Sequence, residues 1–329
     1  MVQTMSRREG DFPIDYTIDI PPEYLAYFSI AIKLPRNDWN SFWDKIFVPS
    51  EIKTRLLNYL KLLFRTKNKG IEDLSLALHR LLLLYGPPGT GKTSLARGLA
   101  NVFAQTLYNE LNYSGEVLFF EISAPSVLSK YLGETPKFIN LAFTYLNSIA
   151  DDNKQVIVLV DEVESLLVSR GVAISDVNPI DVFRGINETL NQLDLLSRND
   201  NLYLITTSNY PKALDEAFVD RVDLLIRIDL PNEKMRKLII EDTLSALESI
   251  FNNRLIEKND KDYEKYLQRF IKMTEGLSGR RIRKLFFEIL IHNENLFRNT
   301  KNISLSTMAT IMESLIKHSD LLNKDIKRY

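Results

Sequence analysis

One stretch limits what this chain can fold into more than any other. Gly86-Pro87-Pro88-Gly89-Thr90-Gly91-Lys92-Thr93 lies between an apolar run ending at Tyr85 and a helical pattern opening at Lys92. Glycines leave room for backbone N–H groups to curl around phosphate oxygens, and the helix start adds the positive end of its dipole. Lys92 then reaches the β- and γ-phosphates, while the Thr93 hydroxyl is placed to ligate Mg²⁺. With glycine near 7% of an average chain, the bare pattern arises by accident in roughly one chain in a hundred of this length. A strand before it and a helix after it make an accidental Gly-rich turn rarer still. The predicted ligand is therefore ATP with Mg²⁺, with Gly86, Pro87, Pro88, Gly89, Thr90, Gly91, Lys92, Thr93 and Ser94 as its candidate binding residues.

A second apolar run, Val156-Ile157-Val158-Leu159-Val160, ends in Asp161-Glu162. Phosphoryl transfer needs one group for the metal and another to orient and activate the attacking water. A strand tip aims consecutive side chains differently, so Asp161 is assigned to Mg²⁺ and Glu162 to the water. Alone, such a pair is as readily a polar cap where a strand meets solvent. The phosphate loop tips the balance, with the acid strand expected adjacent to the loop's own strand.

The rest of the chain supplies a frame for both motifs. Apolar segments at 80–85, 116–122, 155–161, 202–207 and 223–229 alternate with helical patterns starting near Lys92, Pro136, Pro179 and Asp215. This predicts an α/β domain with a mostly parallel sheet covered by helices on both faces. After Pro231 the strand signal stops, and 233–251, 261–275, 278–297 and 304–318 read as amphipathic helices. The expected division is a short N-terminal extension over 1–38, a large α/β subdomain over 39–232 and a small all-helical lid over 233–329. The extension has room for a strand or two, and 39–67 has roughly helical apolar spacing.

Composition excludes several functions. The 42 basic and 43 acidic residues leave a formal charge of −1, with no basic footprint for nucleic acid or membrane. The absence of cysteine rules out disulfides, thiolate zinc sites and cysteine nucleophiles. Residues 1–11 hold no apolar signal core, and the longest apolar runs are too short to cross a bilayer. A soluble, cytoplasmic protein is expected.

Together with three further strings, the two motifs resemble the AAA+ superfamily. Those strings are Thr206-Thr207-Ser208-Asn209, Ala217-Phe218-Val219-Asp220-Arg221-Val222-Asp223 and Gly276-Leu277-Ser278-Gly279-Arg280. The last two point to the pachytene-checkpoint branch, remodellers of HORMA-domain proteins with bacterial relatives in CBASS antiphage operons. The likeness runs from about Trp39 to Phe297. Asn209 ends a strand expected beside the acid-pair strand, and the resemblance implies that it is the sensor hydrogen-bonding the attacking water or γ-phosphate, a task suited to an amide with donor and acceptor. It implies that Arg221 is a finger donated to a neighbouring subunit's ATP; the bland alternative is a salt bridge to Asp220 or Asp223. Arg280 becomes the lid's sensor arginine, with Arg281 and Arg283 close by. Ile46 and Phe47 become the adenine-side contacts. Tyr131 and Leu132, beside Gly133, match the pore loop that grips a polypeptide through sequence-tolerant apolar contact, and 170–179 would be a second, inner loop.

The resulting expectation is a homo-oligomeric, hexameric ring that couples Mg-ATP hydrolysis to partial unfolding of a protein substrate, a HORMA-domain protein by resemblance. A separate adaptor is one way to compensate for the short front end. Two alternatives stay open at this stage: an unfoldase feeding a protease, and a nucleotide-switched DNA-handling module, which the near-neutral charge disfavours.

Overall fold

The alternation of apolar runs and helical patterns builds one six-stranded sheet. The computed structural model describes residues 18–67, 78–130, 135–167, 179–251, 261–292 and 304–326. The strands are β1 (Ile30–Leu34), β2 (Leu81–Tyr85), β3 (Glu116–Ser123), β4 (Lys154–Asp161), β5 (Leu202–Ser208) and β6 (Leu224–Arg227). Their spatial order is β1-β3-β4-β5-β2-β6. All neighbours are parallel except β1, which caps the β3 edge in antiparallel register from Ile30↔Glu121 to Leu34↔Val117. β1 falls within the front stretch that had room for a strand.

This order corrects one expectation. The acid strand β4 does not adjoin the phosphate-loop strand β2, because β5 lies between them. Sequence periodicity reports burial, not neighbours, and three strands of similar apolarity could be ordered either way. The insertion places the end of β5 between the phosphate loop and the acid pair.

Both faces of the sheet are covered. Alternate residues Leu81, Leu83, Val156, Val158 and Val160 share one core with helices α5 (Thr135–Ile149) and α6 (Pro179–Leu196). On the opposite face lies α3 (Lys92–Asn109), whose Phe103 meets Tyr203 edge-on at 5.1 Å. Helices α1 (Asn40–Asp44) and α2 (Ser50–Thr66) pack on α3. The predicted helical stretch 39–67 is thus two helices, separated by a break before Pro49, which heads α2. Between β3 and α5 runs α4 (Ala124–Lys130). The helix expected from Asp215 is a single turn, α7 (Glu216–Val219), capped by the Asp215 carboxylate on the Ala217 N–H at 3.0 Å. β6 begins one residue later than expected because Asp223 is used as an acceptor. It takes the N–H groups of His79 and Leu81 and the Tyr59 hydroxyl.

The described residues fall into two compact units. The first runs through Asp44, from Pro49 to Gly86 and from Lys92 to Ile228; the second gathers Lys45–Val48, Pro87–Gly91 and the chain from Asp229 onward. The second unit has its own apolar core. Its helices are α8 (Glu233–Phe251), α9 (Lys261–Met273), α10 (Gly279–Ile291) and α11 (Leu305–Ile326). Gly276, at φ 74°, follows the end of α9, and Ser278 caps α10 by accepting the Arg281 N–H.

Candidate functional site

In the first unit the ends of β2, β4 and β5 bring the predicted residues together. Gly86 leaves β2 at φ 142°, where a Cβ would lie 2.2 Å from the Ile228 carbonyl oxygen. Only glycine fits that approach. Its N–H donates to the Ser208 carbonyl, so the loop begins hydrogen-bonded to the end of β5. At the start of α3, Lys92 is buried, and its Nζ donates to the Gly86 carbonyl at 2.8 Å and to Asn209 Oδ1 at 2.7 Å. Thr93 Oγ1 donates to Asp161 Oδ1 at 2.7 Å. A hydroxyl and a carboxylate oxygen side by side are the hard donors that Mg²⁺ prefers.

The acid pair is fixed from β5. The Thr207 hydroxyl donates to Asp161 Oδ1 and accepts the Glu162 N–H at 3.1 Å. Glu162 is left-handed, at φ 55° and ψ 49°, which turns its side chain away from the strand direction. There Asn209 Nδ2 donates to Glu162 Oε1 at 3.2 Å. One amide thus bridges the loop lysine and the candidate base. Thr207 stood in a quoted motif with no role attached; its part shows only once β5 is known to separate the other two strands.

Two further ion pairs lie in this unit, one beside the cluster and one near His79, at the opposite end of β2. Arg97, one turn along α3 from Thr93, is paired bidentately with buried Glu121 at 2.7 and 2.8 Å and lies over the Phe42 ring. Arg221 is gripped by Asp194 of α6, Nε to Oδ1 at 2.7 Å and Nη2 to Oδ2 at 2.9 Å, while Nη1 donates to the Ala217 carbonyl. That hydrogen-bonded pair holds the Asp194 carboxyl below the usual carboxylate range and raises the Arg221 guanidinium. The partner is neither Asp220 nor Asp223, the two acids the sequence offered.

The second unit holds Ile46, Phe47, the loop residues Pro87–Gly91 and Arg280. Gly89 lies against the start of α10: its carbonyl accepts the Arg280 N–H at 3.1 Å, and a Cβ there would meet Ser278 Oγ at 2.7 Å. A Cβ on Gly91 would meet Ile46 Cδ1 at 2.9 Å, and Phe47 packs on the helical core. Arg281 is paired with Glu288 and Arg283 with Asp242. Exposed Arg280 has no ion pair among the described residues, which separates it from its two neighbours. Tyr131, Leu132 and Gly133 lie outside the described residues, as does 170–178 of the second loop.

A five-stranded parallel run with the phosphate loop on β2, acids on β4 and an amide at the end of the strand between them defines a phosphate-loop ATPase. The family model for AAA, "ATPase family associated with various cellular activities", matches residues 82–230. The pachytene checkpoint protein 2 homolog of Danio rerio is 33% identical over 299 residues, covering 86% of this chain and 69% of that protein. The Homo sapiens homolog is 32% identical and is matched over 62% of its length. The solved structure of C. elegans PCH-2 superposes with a TM-score of 0.72 at 27% identity, covering 88% of this chain and 75% of that one. A second structure, of an E. coli MS115-1 HORMA:CdnC:Trip13 complex, gives a TM-score of 0.72 at 18% identity, a likeness of fold, over 89% of this chain and 97% of that one. The chain belongs to the AAA ATPases, on the branch of the pachytene checkpoint protein 2 homologues. Among the described residues, no helix is long and apolar enough to cross a membrane.

Proposed function

We propose that this AAA ATPase works in the cytoplasm as a homo-oligomeric, hexameric ring that spends Mg-ATP hydrolysis on remodelling a HORMA-domain protein. One observation supports the hydrolytic part above all. Lys92, Asn209 and Glu162 form a continuous hydrogen-bonded chain beside the Thr93–Asp161 pair. The residues from Gly86 to Ser94 hold the phosphates, and Ile46 and Phe47 border the adenine. Thr93 and Asp161 hold Mg²⁺, which neutralises charge on the phosphate oxygens when bound. Glu162 takes the proton of the attacking water, and Asn209 orients that water through its amide. Arg280 reaches the γ-phosphate from its own chain, and Arg221 does so from the next subunit, so turnover depends on assembly.

The protein-directed part rests on kinship with the pachytene checkpoint protein 2 homologues and on the fold shared with one chain of the HORMA:CdnC:Trip13 complex. Tyr131 and Leu132 are the proposed grip on the substrate. A separate adaptor is the further partner in this reading.

The test is Glu162→Gln. ATP binding should persist while kcat falls about 100-fold or more, the range lost with a general base. The same variant should retain a HORMA-domain protein in pull-downs made with ATP. Unchanged turnover would remove Glu162 from the base role, and capture of a protease ring in its place would favour an unfoldase that feeds one.

A further inference from the structure

The cluster contains one acid to which these roles give no task. Glu164 lies two residues past Glu162, in the single 3₁₀ turn Val163–Ser165 that follows β4. Its Oε1 accepts the backbone N–H of Asn209 at 2.9 Å. Its Oε2 is buried and has no hydrogen-bond partner among the described residues. An interior carboxylate oxygen without a partner lowers stability, so a gain elsewhere must explain why it is kept there.

That gain is mechanical. Regular pairing between β4 and β5 ends at Val160↔Thr206. Beyond it the two strand ends are joined by side chains: Thr207 on the Glu162 N–H, the Asn209 amide on Glu162, and Glu164 on the Asn209 N–H. The 3₁₀ turn links both acids, since the Ser165 N–H donates to the Glu162 carbonyl at 3.0 Å. A residue whose backbone N–H is anchored has its side chain launched from a fixed point. We propose that Glu164 is a positioning residue for hydrolysis, a strut that sets the end of β5 so that the Asn209 amide meets Lys92 and Glu162 at once. The proposal rests on the roles given above to Glu162 and Asn209. Removing the strut alters no residue of the phosphate loop and leaves the Lys92 bond to the Gly86 carbonyl in place, so alignment of the water suffers more than nucleotide affinity.

The experiment compares Glu164→Ala and Glu164→Gln in the full chain by steady-state ATPase kinetics, ADP titration and thermal melting, with Glu162→Gln in parallel. Glu164→Ala should lower kcat about 10-fold or more, as misplacement of a reacting group does. Its KM and ADP affinity should stay within about threefold of wild type, and its Tm should hold or rise as the orphaned oxygen goes. Glu164→Gln keeps an oxygen for the Asn209 N–H and should retain kcat within about threefold. If the alanine chain does not fold, Glu164→Asp, one methylene too short to reach, replaces it with the same expected split. Wild-type kcat in Glu164→Ala overturns the proposal. So do parallel losses of kcat, ADP affinity and Tm, which mark a structural acid, and equal losses in the alanine and glutamine chains, which mark a need for charge. An active Glu162→Gln sinks the underlying assignment of the base; an inactive one beside an unaffected Glu164→Ala sinks the strut alone.

Discussion

Asp194 grips the Arg221 guanidinium with both oxygens, and the two residues lie 27 positions apart in the chain. Because the pair keeps the Asp194 pKa below the usual carboxylate range, its stabilisation is complete above that range. It fades as pH falls through the lowered value and Asp194 takes up its proton. The pair is partly exposed, at 24% and 39% of the side chains, so its worth is about 1 kcal/mol at most. Denaturant midpoints of wild type and Asp194→Asn should therefore differ at neutral pH and converge in acid; a gap that stays constant to about pH 3 contradicts this. The sequence could name Arg221 because its motif is local, but it pointed to the nearest acids. Asp223 was already committed to two backbone N–H groups and a tyrosine hydroxyl, and nothing in the local pattern marks Asp194 on α6 as different from any other helix acid. The phosphate loop, Asp161, Glu162 and Asn209 were legible for the opposite reason: backbone shape and chemistry constrain consecutive residues. Thr207 and Glu164 act across strand ends, a relation that linear spacing does not encode.

Among elements, the docking of α1 on α3 shows two opposing effects of one substitution. Gly98 sits inside α3, where alanine would normally gain about 1 kcal/mol from helix propensity. A Cβ at Gly98, however, would lie 2.7 Å from the Trp43 nitrogen and 2.8 Å from the Phe42 carbonyl carbon. Those are backbone atoms and cannot yield as a flexible side chain does. Overpacking costs about 1–3 kcal/mol and outweighs the propensity. Gly98→Ala should lower the denaturant midpoint; a higher midpoint would mean that α1 shifts freely. The strands themselves were readable as apolar runs, with ends within two residues of those found. Their lateral order was legible only in part: the Asn209 strand does lie beside the acid strand, but its place between that strand and the loop strand was not readable, and neither was the break of 39–67 into α1 and α2, where a helical spacing of apolar residues continues across a change of direction.

For the molecule as a whole, the Arg221 assignment predicts behaviour that no isolated chain can display. If the finger completes a neighbouring site, specific activity should rise with protein concentration, and Arg221→Ala should bind ADP normally while losing about 1,000-fold in kcat, the scale of an arginine finger. Doping wild type with Arg221→Ala subunits should then depress activity by more than their share. Strictly proportional loss would confine Arg221 to its own subunit. Elsewhere, the residues ahead of β1 are fastened by rings: Tyr24 stacks on Tyr145 at 4.4 Å and Tyr27 meets Phe138 edge-on at 4.6 Å. Both receiving rings belong to α5, whose first residue directly follows the segment carrying Tyr131 and Leu132. A pull on Tyr24 or Tyr27 would therefore be felt by the helix that begins, along the chain, just past the proposed grip.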